Sequence, residues 1–158
     1  MKRLEKSNLR VGKFFDVYSN SVNTERTVYF VGVYGGRLIY FIIFLLDLTL
    51  RRYRVIYIQP RKEILSVHNP DWLGNSIKQV INIIHVDRKN NPGKHYLVGA
   101  SLGSYLGLNI SLQEHFEKFI VLAGGAPLGK VFRTTKLFSA HRKQLKKLAS
   151  LAKKIPKS

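Results

Sequence analysis

The chain has no cysteine, one methionine, one tryptophan and few acids. Without cysteine there is no disulfide, no thiolate nucleophile and no Cys-ligated zinc or iron–sulfur site. The 9 Asp+Glu face 27 Lys+Arg, a formal net charge of +18 with a pI near 10.4. The last carboxylate is Glu117, and residues 118–158 carry 11 Lys and Arg with no Asp or Glu. Such a surface attracts polyanions in general, including acidic lipid headgroups. With Phe132 and Phe138 as the only aromatics in the basic tail, residues 129–158, base stacking is not a main mode, and no specific nucleic-acid recognition is expected. Histidines are scattered and no H-x-x-x-H or carboxylate cluster occurs, so no metal or other cofactor is expected, and there is no P-loop.

The 158 residues are 45% hydrophobic and 23% charged, enough for one packed domain or one domain and a tail. The basic amino terminus is not followed directly by an apolar run of signal-peptide length, which argues for a cytoplasmic protein. Residues 28–50 form an apolar window of membrane-spanning length, about 20 residues. Arg37 and Gly35-Gly36 interrupt it, so it reads better as a buried strand, a glycine turn and a buried helix.

From residue 27 onward strand-like and helix-like pieces alternate. Strands are expected at 28–34 (VYFVGVY), 53–58 (YRVIYI), 95–100 (HYLVGA) and 118–123 (KFIVLA), and helices at 38–52, 71–86 and 103–112. In the second helix Leu73, Ile77, Val80, Ile81 and Ile84 share one face at period 3.6. Near-continuous apolar strands alternating with helices indicate an α/β protein with a mostly parallel, doubly wound sheet covered on both faces. Residues 11–17 read as an edge strand and 19–27 as polar and turn-like. The expected division is an extension or edge strand at 1–26, a core at 27–128 and a basic tail at 129–158. In the tail, Leu145, Leu148, Ala152 and Ile155 share a helical face. That helix packs on the sheet, forms a lid, or lies on an anionic membrane.

The chemically loaded segment is Gly99-Ala100-Ser101-Leu102-Gly103, a G-x-S-x-G pattern placed where a strand ends and a helix begins. Chance alone gives the pattern about once in twenty chains of this length. A serine on so sharp a turn projects its hydroxyl above the sheet edge. Small flanking residues let neighbouring backbone approach, and the Leu102 amide at the helix start is aimed to stabilise an oxyanion. The bland alternative is a glycine-rich packing turn with an idle Ser101.

On these residues, with Gly107 in the following helix and Tyr34-Gly35-Gly36 after the first core strand, the chain resembles the α/β-hydrolase superfamily over roughly residues 26–128. The resemblance implies an incomplete three-layer sandwich, Ser101 as nucleophile, and an oxyanion hole from the amides of Leu102, Gly35 and Gly36. It also implies hydrolysis of a small ester or similar acyl compound through an acyl-serine. The superfamily's acid and histidine come from beyond the elbow, where this chain has no carboxylate after Glu117. In a parallel sheet the site lies at the carboxyl ends of the strands. His95 begins a strand, and His85 and His115 lie near helix ends that return to the opposite edge. His68 and His141 remain as candidate bases, and Asp71 as the orienting acid. A truncated hydrolase, a non-catalytic relative and an enzyme with a rearranged base all stay open.

Two rivals come from other classes. Gly32-x-x-Gly35-Gly36 before a helix, with Arg61 and Lys62 after the next strand, fits a nucleotide-binding Rossmann-like domain loosely. The basic tail fits a non-catalytic binder of anionic surfaces.

Overall fold

The computed structural model describes residues 4–7, 14–34, 41–65 and 71–122. Six strands form one sheet: β1 (Glu5–Lys6), β2 (Phe15–Ser19), β3 (Arg26–Val31), β4 (Arg54–Pro60), β5 (Lys94–Ala100) and β6 (Lys118–Leu122). Their spatial order is β1-β2-β4-β3-β5-β6. The pairs β3/β4, β3/β5 and β5/β6 are parallel, and β2 runs antiparallel to both β4 and β1. The helices are α1 (Ile42–Leu50), α2 (Trp72–Asn90) and α3 (Leu102–Ser111).

Alternate residues of each central strand point to opposite faces. Tyr29 and Val31 of β3 and Ile56 and Ile58 of β4 pack with α2 and α3, for example against Val80 and Leu106. Val28, Phe30, Val55 and Tyr57 pack with Leu45 of α1 on the other face. This is the doubly wound α/β arrangement, and it explains the unbroken apolar runs, since neither face of these strands meets water. Each fully buried large apolar side chain contributes about 1.5–3 kcal/mol. The connection through α1 runs from β3 to β4, and the next, through α2, passes back over β3 to β5 on the opposite face. The direction of winding therefore reverses between β3 and β5, and in open α/β sheets the carboxyl ends of the strands at such a reversal are where ligand crevices form.

Several boundaries move, each for a reason. The window 28–50 divides between β3 and α1, and among the described residues no helix is long and apolar enough to cross a membrane. α1 ends at Leu50 rather than residue 52. Arg52 takes a left-handed conformation (φ 61°), and the amides of Arg52 and Tyr53 turn back to the carbonyls of Thr49 and Leu48. α2 runs on to Asn90 instead of stopping at 86. Its Asp87 is buried and accepts from Tyr29 Oη at 2.9 Å and Arg54 Nη1 at 2.6 Å, so a charged residue sits on the inner face. β3 starts at Arg26, inside the segment read as a turn. The strand expected at 11–17 lies at Phe15–Ser19, and it is not the edge, because Glu5 and Lys6 pair outside it. The amphipathic face through Leu145, Leu148, Ala152 and Ile155 lies outside the described residues.

β2 is tied to the end of β4 by Asp16, which meets Arg61 Nη2 at 2.6 Å and Lys6 Nζ at 3.5 Å. The hydrogen bond from Arg61 holds the Asp16 carboxyl below its ordinary range, against the opposing effect of burial. A carboxyl depressed in the folded state adds stability above its unfolded value, about 3.9, and that stability is lost as pH falls through the folded value. Asp16→Asn is therefore expected to lower the melting temperature near neutral pH and to converge with the wild type in strong acid. Thermal melts from about pH 7 to about pH 2 check this; parallel curves at all pH would refute it.

Candidate active site

β5 delivers the chain to this reversal at Ala100, and α3 begins at Leu102, leaving Ser101 alone at the junction. Ser101 is exposed and has φ 52°, ψ −116°. Among the described residues only Arg52 shares a positive φ without being glycine. A side chain in such a region costs about 1–3 kcal/mol and persists only where the surroundings impose it.

Here the surroundings do impose it. The Ser101 amide donates to Leu122 O of β6 at 3.3 Å, and its carbonyl accepts from the Ser104 amide at 2.9 Å. The buried Ser104 Oγ donates to Gly99 O at 2.8 Å, tying the first turn of α3 to the end of β5. The flanking glycines make this approach sterically feasible. A Cβ on Gly99 would lie 2.6 Å from Gly103 O and 2.7 Å from Ser104 Cα. A Cβ on Gly103 would press into Val31 O and lie 2.8 Å from Gly32 O, so α3 starts directly against the end of β3. Gly107 meets the Phe119 ring in the same way, its Cβ position 2.6 Å from Cε2. Because the Gly103 obstacle is backbone, Gly103→Ala is expected to cost about 1–3 kcal/mol. The melting temperature should fall by about 2–4 °C per kcal/mol, and an unchanged melt would contradict this contact.

Leu102 buries its side chain in the core while its amide opens α3. The first amides of a helix have no intrahelical acceptor and carry the positive end of the helix dipole. Among the described residues no backbone acceptor takes the Leu102 amide. Across the reversal, the segment after β3 stays attached to β4. Gly32 N donates to Ile58 O at 2.9 Å, and Gln59 Nε2 donates to Val33 O at 3.2 Å. Tyr34 follows, exposed. Gly35 and Gly36 lie outside the described residues.

The expected base and acid fare differently. His68 and His141 both lie outside the described residues. Asp71 is exposed and caps α2, accepting the Gly74 amide at 3.3 Å. The other three histidines stand at the amino-terminal edge of the sheet, as their sequence positions imply. His95 stacks on Tyr29 (5.8 Å between ring centroids) and contacts Asn91 O, and burial pushes its pKa down. His85 pairs with Glu114 at 2.7 Å, and the His115 carbonyl accepts from Arg88. β5 separates His95 from Ser101 by about 20 Å, at roughly 3.3 Å per residue. Arg61, a candidate phosphate holder in the nucleotide reading, is engaged by Asp16, and Gly32 packs against the Tyr57 hydroxyl rather than lining an open turn.

Sequence reasoning passed over Ser104, Tyr57 and Gln59. For Gln59 a signal was present: one amide side chain closing an otherwise apolar strand. For Ser104, three residues past Ser101, no local pattern separates a locking hydroxyl from an ordinary helical serine.

No family model and no curated protein matches the sequence. Solved structures do match the fold. The chain is similar to a thermostable carboxyl esterase from Bacillus coagulans, with a TM-score of 0.61 and 11% identity, over 89% of this chain and 51% of that one. It is similar to a siderophore hydrolase from Aspergillus fumigatus (TM-score 0.54, 17% identity, 81% of this chain and 44% of that one). It is also similar to an S-formylglutathione hydrolase from Staphylococcus aureus (TM-score 0.56, 13% identity, 99% and 73%). The chain therefore has the α/β-hydrolase fold, and it spans about half the length of the esterase. Identities this low speak to the fold alone.

Proposed function

We propose that this chain carries the nucleophile of a serine acyl-hydrolase, with Ser101 attacking small esters or related acyl compounds. The observation that carries the reading is Ser101 itself: an exposed serine held at φ 52° between a strand and a helix, where the winding of the sheet reverses. A strained strand-to-helix turn of this kind is how α/β hydrolases expose a nucleophilic serine. Ligands of open α/β sheets bind at such a reversal.

In this reading Ser101 Oγ forms a bond to the substrate carbonyl carbon as its proton passes to a histidine. The carbonyl π electrons move onto oxygen, which the Leu102 amide and an amide from the segment after β3, at Gly35 or Gly36, stabilise. Collapse of the tetrahedral intermediate breaks the bond to the alcohol, which takes the proton and leaves an acyl-serine. Water, deprotonated by the same base, then attacks the acyl carbon; the bond to Ser101 Oγ breaks, the proton returns to Oγ and the acid leaves. His68 and His141 remain the two candidates for the base. Asp71 is the candidate orienting acid, and its carboxylate already serves as the α2 cap.

A fluorophosphonate probe tests this on the whole chain. Wild type should label, Ser101→Ala should not, and either His68→Ala or His141→Ala should label far more slowly. Removing the histidine of a serine triad costs on the order of 10⁶ in turnover. Wild-type labelling no greater than that of Ser101→Ala would refute the proposal. The nucleotide-binding alternative leaves the strained Ser101 turn without a purpose.

A further inference from the structure

At the carboxyl end of β4 lies a buried polar chain with no evident need to be polar. Tyr57 is fully buried, and its hydroxyl donates to Gln59 Oε1 at 2.6 Å. Gln59, 9% exposed, donates from Nε2 to Val33 O and to Pro60 O, both at 3.2 Å. Both recipients of the amide nitrogen are carbonyls, which only accept, so the amide can be turned only one way. Burial raises the Tyr57 pKa and keeps the phenol a donor, which matches that orientation. Gly32 completes the arrangement: a Cβ there would lie 2.5 Å from the Tyr57 hydroxyl. An apolar residue at either position would fill the space without needing partners, so the polar chain acts on what it holds.

What it holds is the Val33–Tyr34 peptide. No peptide bond among the described residues is cis, and in a trans peptide the C=O and the N–H point in opposite directions. Fixing Val33 O toward β4 thus fixes the plane and direction from which the chain enters the segment after β3. That segment begins against Gly103, two residues beyond Ser101.

We propose that Gln59, oriented by Tyr57, is a positioning residue that fixes the Val33–Tyr34 peptide and through it the oxyanion side of the Ser101 site. The proposal rests on the hydrolase reading of Ser101. A misplacement of about 1 Å at a reacting centre costs about 10²-fold in rate.

The test compares wild type, Gln59→Leu, Gln59→Glu and Tyr57→Phe by fluorophosphonate kinetics, thermal melting and the amide signal of Tyr34. Gln59→Leu should shift the Tyr34 amide resonance and speed its hydrogen exchange. It should lower the phosphonylation rate at saturating probe by about 10- to 100-fold, leaving the half-saturating concentration unchanged. Tyr57→Phe, the gentler variant should Gln59→Leu fold poorly, should shift the same amide and slow the rate several-fold. In Gln59→Glu a protonated carboxyl can donate to Val33 O and accept from Tyr57, whereas the carboxylate repels Val33 O. Its rate relative to wild type should therefore rise as pH falls. Failure of the wild type to label above Ser101→Ala would sink the hydrolase reading and this proposal together. A labelled wild type with an unmoved Tyr34 amide, or with variants that label at the wild-type rate, would overturn the positioning role alone.

Discussion

Ser101→Gly is expected to make the protein more stable while erasing the labelling that the proposed hydrolase function calls for. At φ 52°, ψ −116° a Cβ is strained and glycine is not. Relief of about 1–3 kcal/mol of strain is partly offset by the extra freedom glycine gives the unfolded chain, about 0.4–1 kcal/mol. The net gain is on the order of 1 kcal/mol, a rise of about 2–4 °C in melting temperature for a chain of this size. The same change removes the hydroxyl, and loss of the nucleophile in a serine triad costs on the order of 10⁶ in turnover. Ser101→Ala should lose the reaction equally but keep its Cβ at positive φ, and so melt with the wild type. The pair separates strain from chemistry: both variants unlabelled, only the glycine variant more stable. A glycine variant that melts lower than wild type would show that the turn is not strained, and with it would go the reason for an exposed serine there.

The sharp strand-to-helix turn at Ser101 was legible because its determinants are local. Gly99, Ser101 and Gly103 sit within five residues, and the strand and helix around them announce themselves by composition and period. The same holds for the apolar strands and for the start of α2 at Asp71. What escaped was set by partners distant in sequence. Asp87-Arg88-Lys89-Asn90 looks like the end of an amphipathic helix, yet α2 continues through it because Arg54 and Tyr29 receive Asp87. β2 was misplaced because its alternation (buried Phe15 and Val17, half-buried Asp16 and Tyr18) is short and its register is set by β4. The polar chain from Tyr57 through Gln59 to Val33 O joins β4 to the segment after β3, across 26 residues of sequence, and no window around either reveals it. Sequence position put His85, His95 and His115 at the amino-terminal edge of the sheet, and the structure finds them there; His68 and His141 lie outside the described residues.

Asp87→Ala should be the most damaging single change at that far edge, and it should spare the site. Asp87 is 1% exposed and accepts from Tyr29 Oη, Arg54 Nη1 and Asn91 Nδ2. Arg54, its side chain 14% exposed, has little water to turn to. Removing one member of a buried ion pair strands the other, at a cost of about 3–5 kcal/mol, a large part of the 5–15 kcal/mol that stabilises a typical domain. The Tyr29 phenol is also stranded: burial, the larger cause of its raised pKa, persists when the Asp87 carboxylate is gone, so it remains a donor lacking an acceptor. Asp87→Asn keeps an acceptor for both and should cost clearly less. Urea melts of the three proteins measure the order. Because Arg54 lies about 20 Å from Ser101 along the strands and Tyr29 about 13 Å, the labelling rate per folded molecule should match wild type in both variants. A mild Asp87→Ala would mean that water reaches Arg54, and the pair would then be an ordinary surface contact instead of a clamp between α2 and β4.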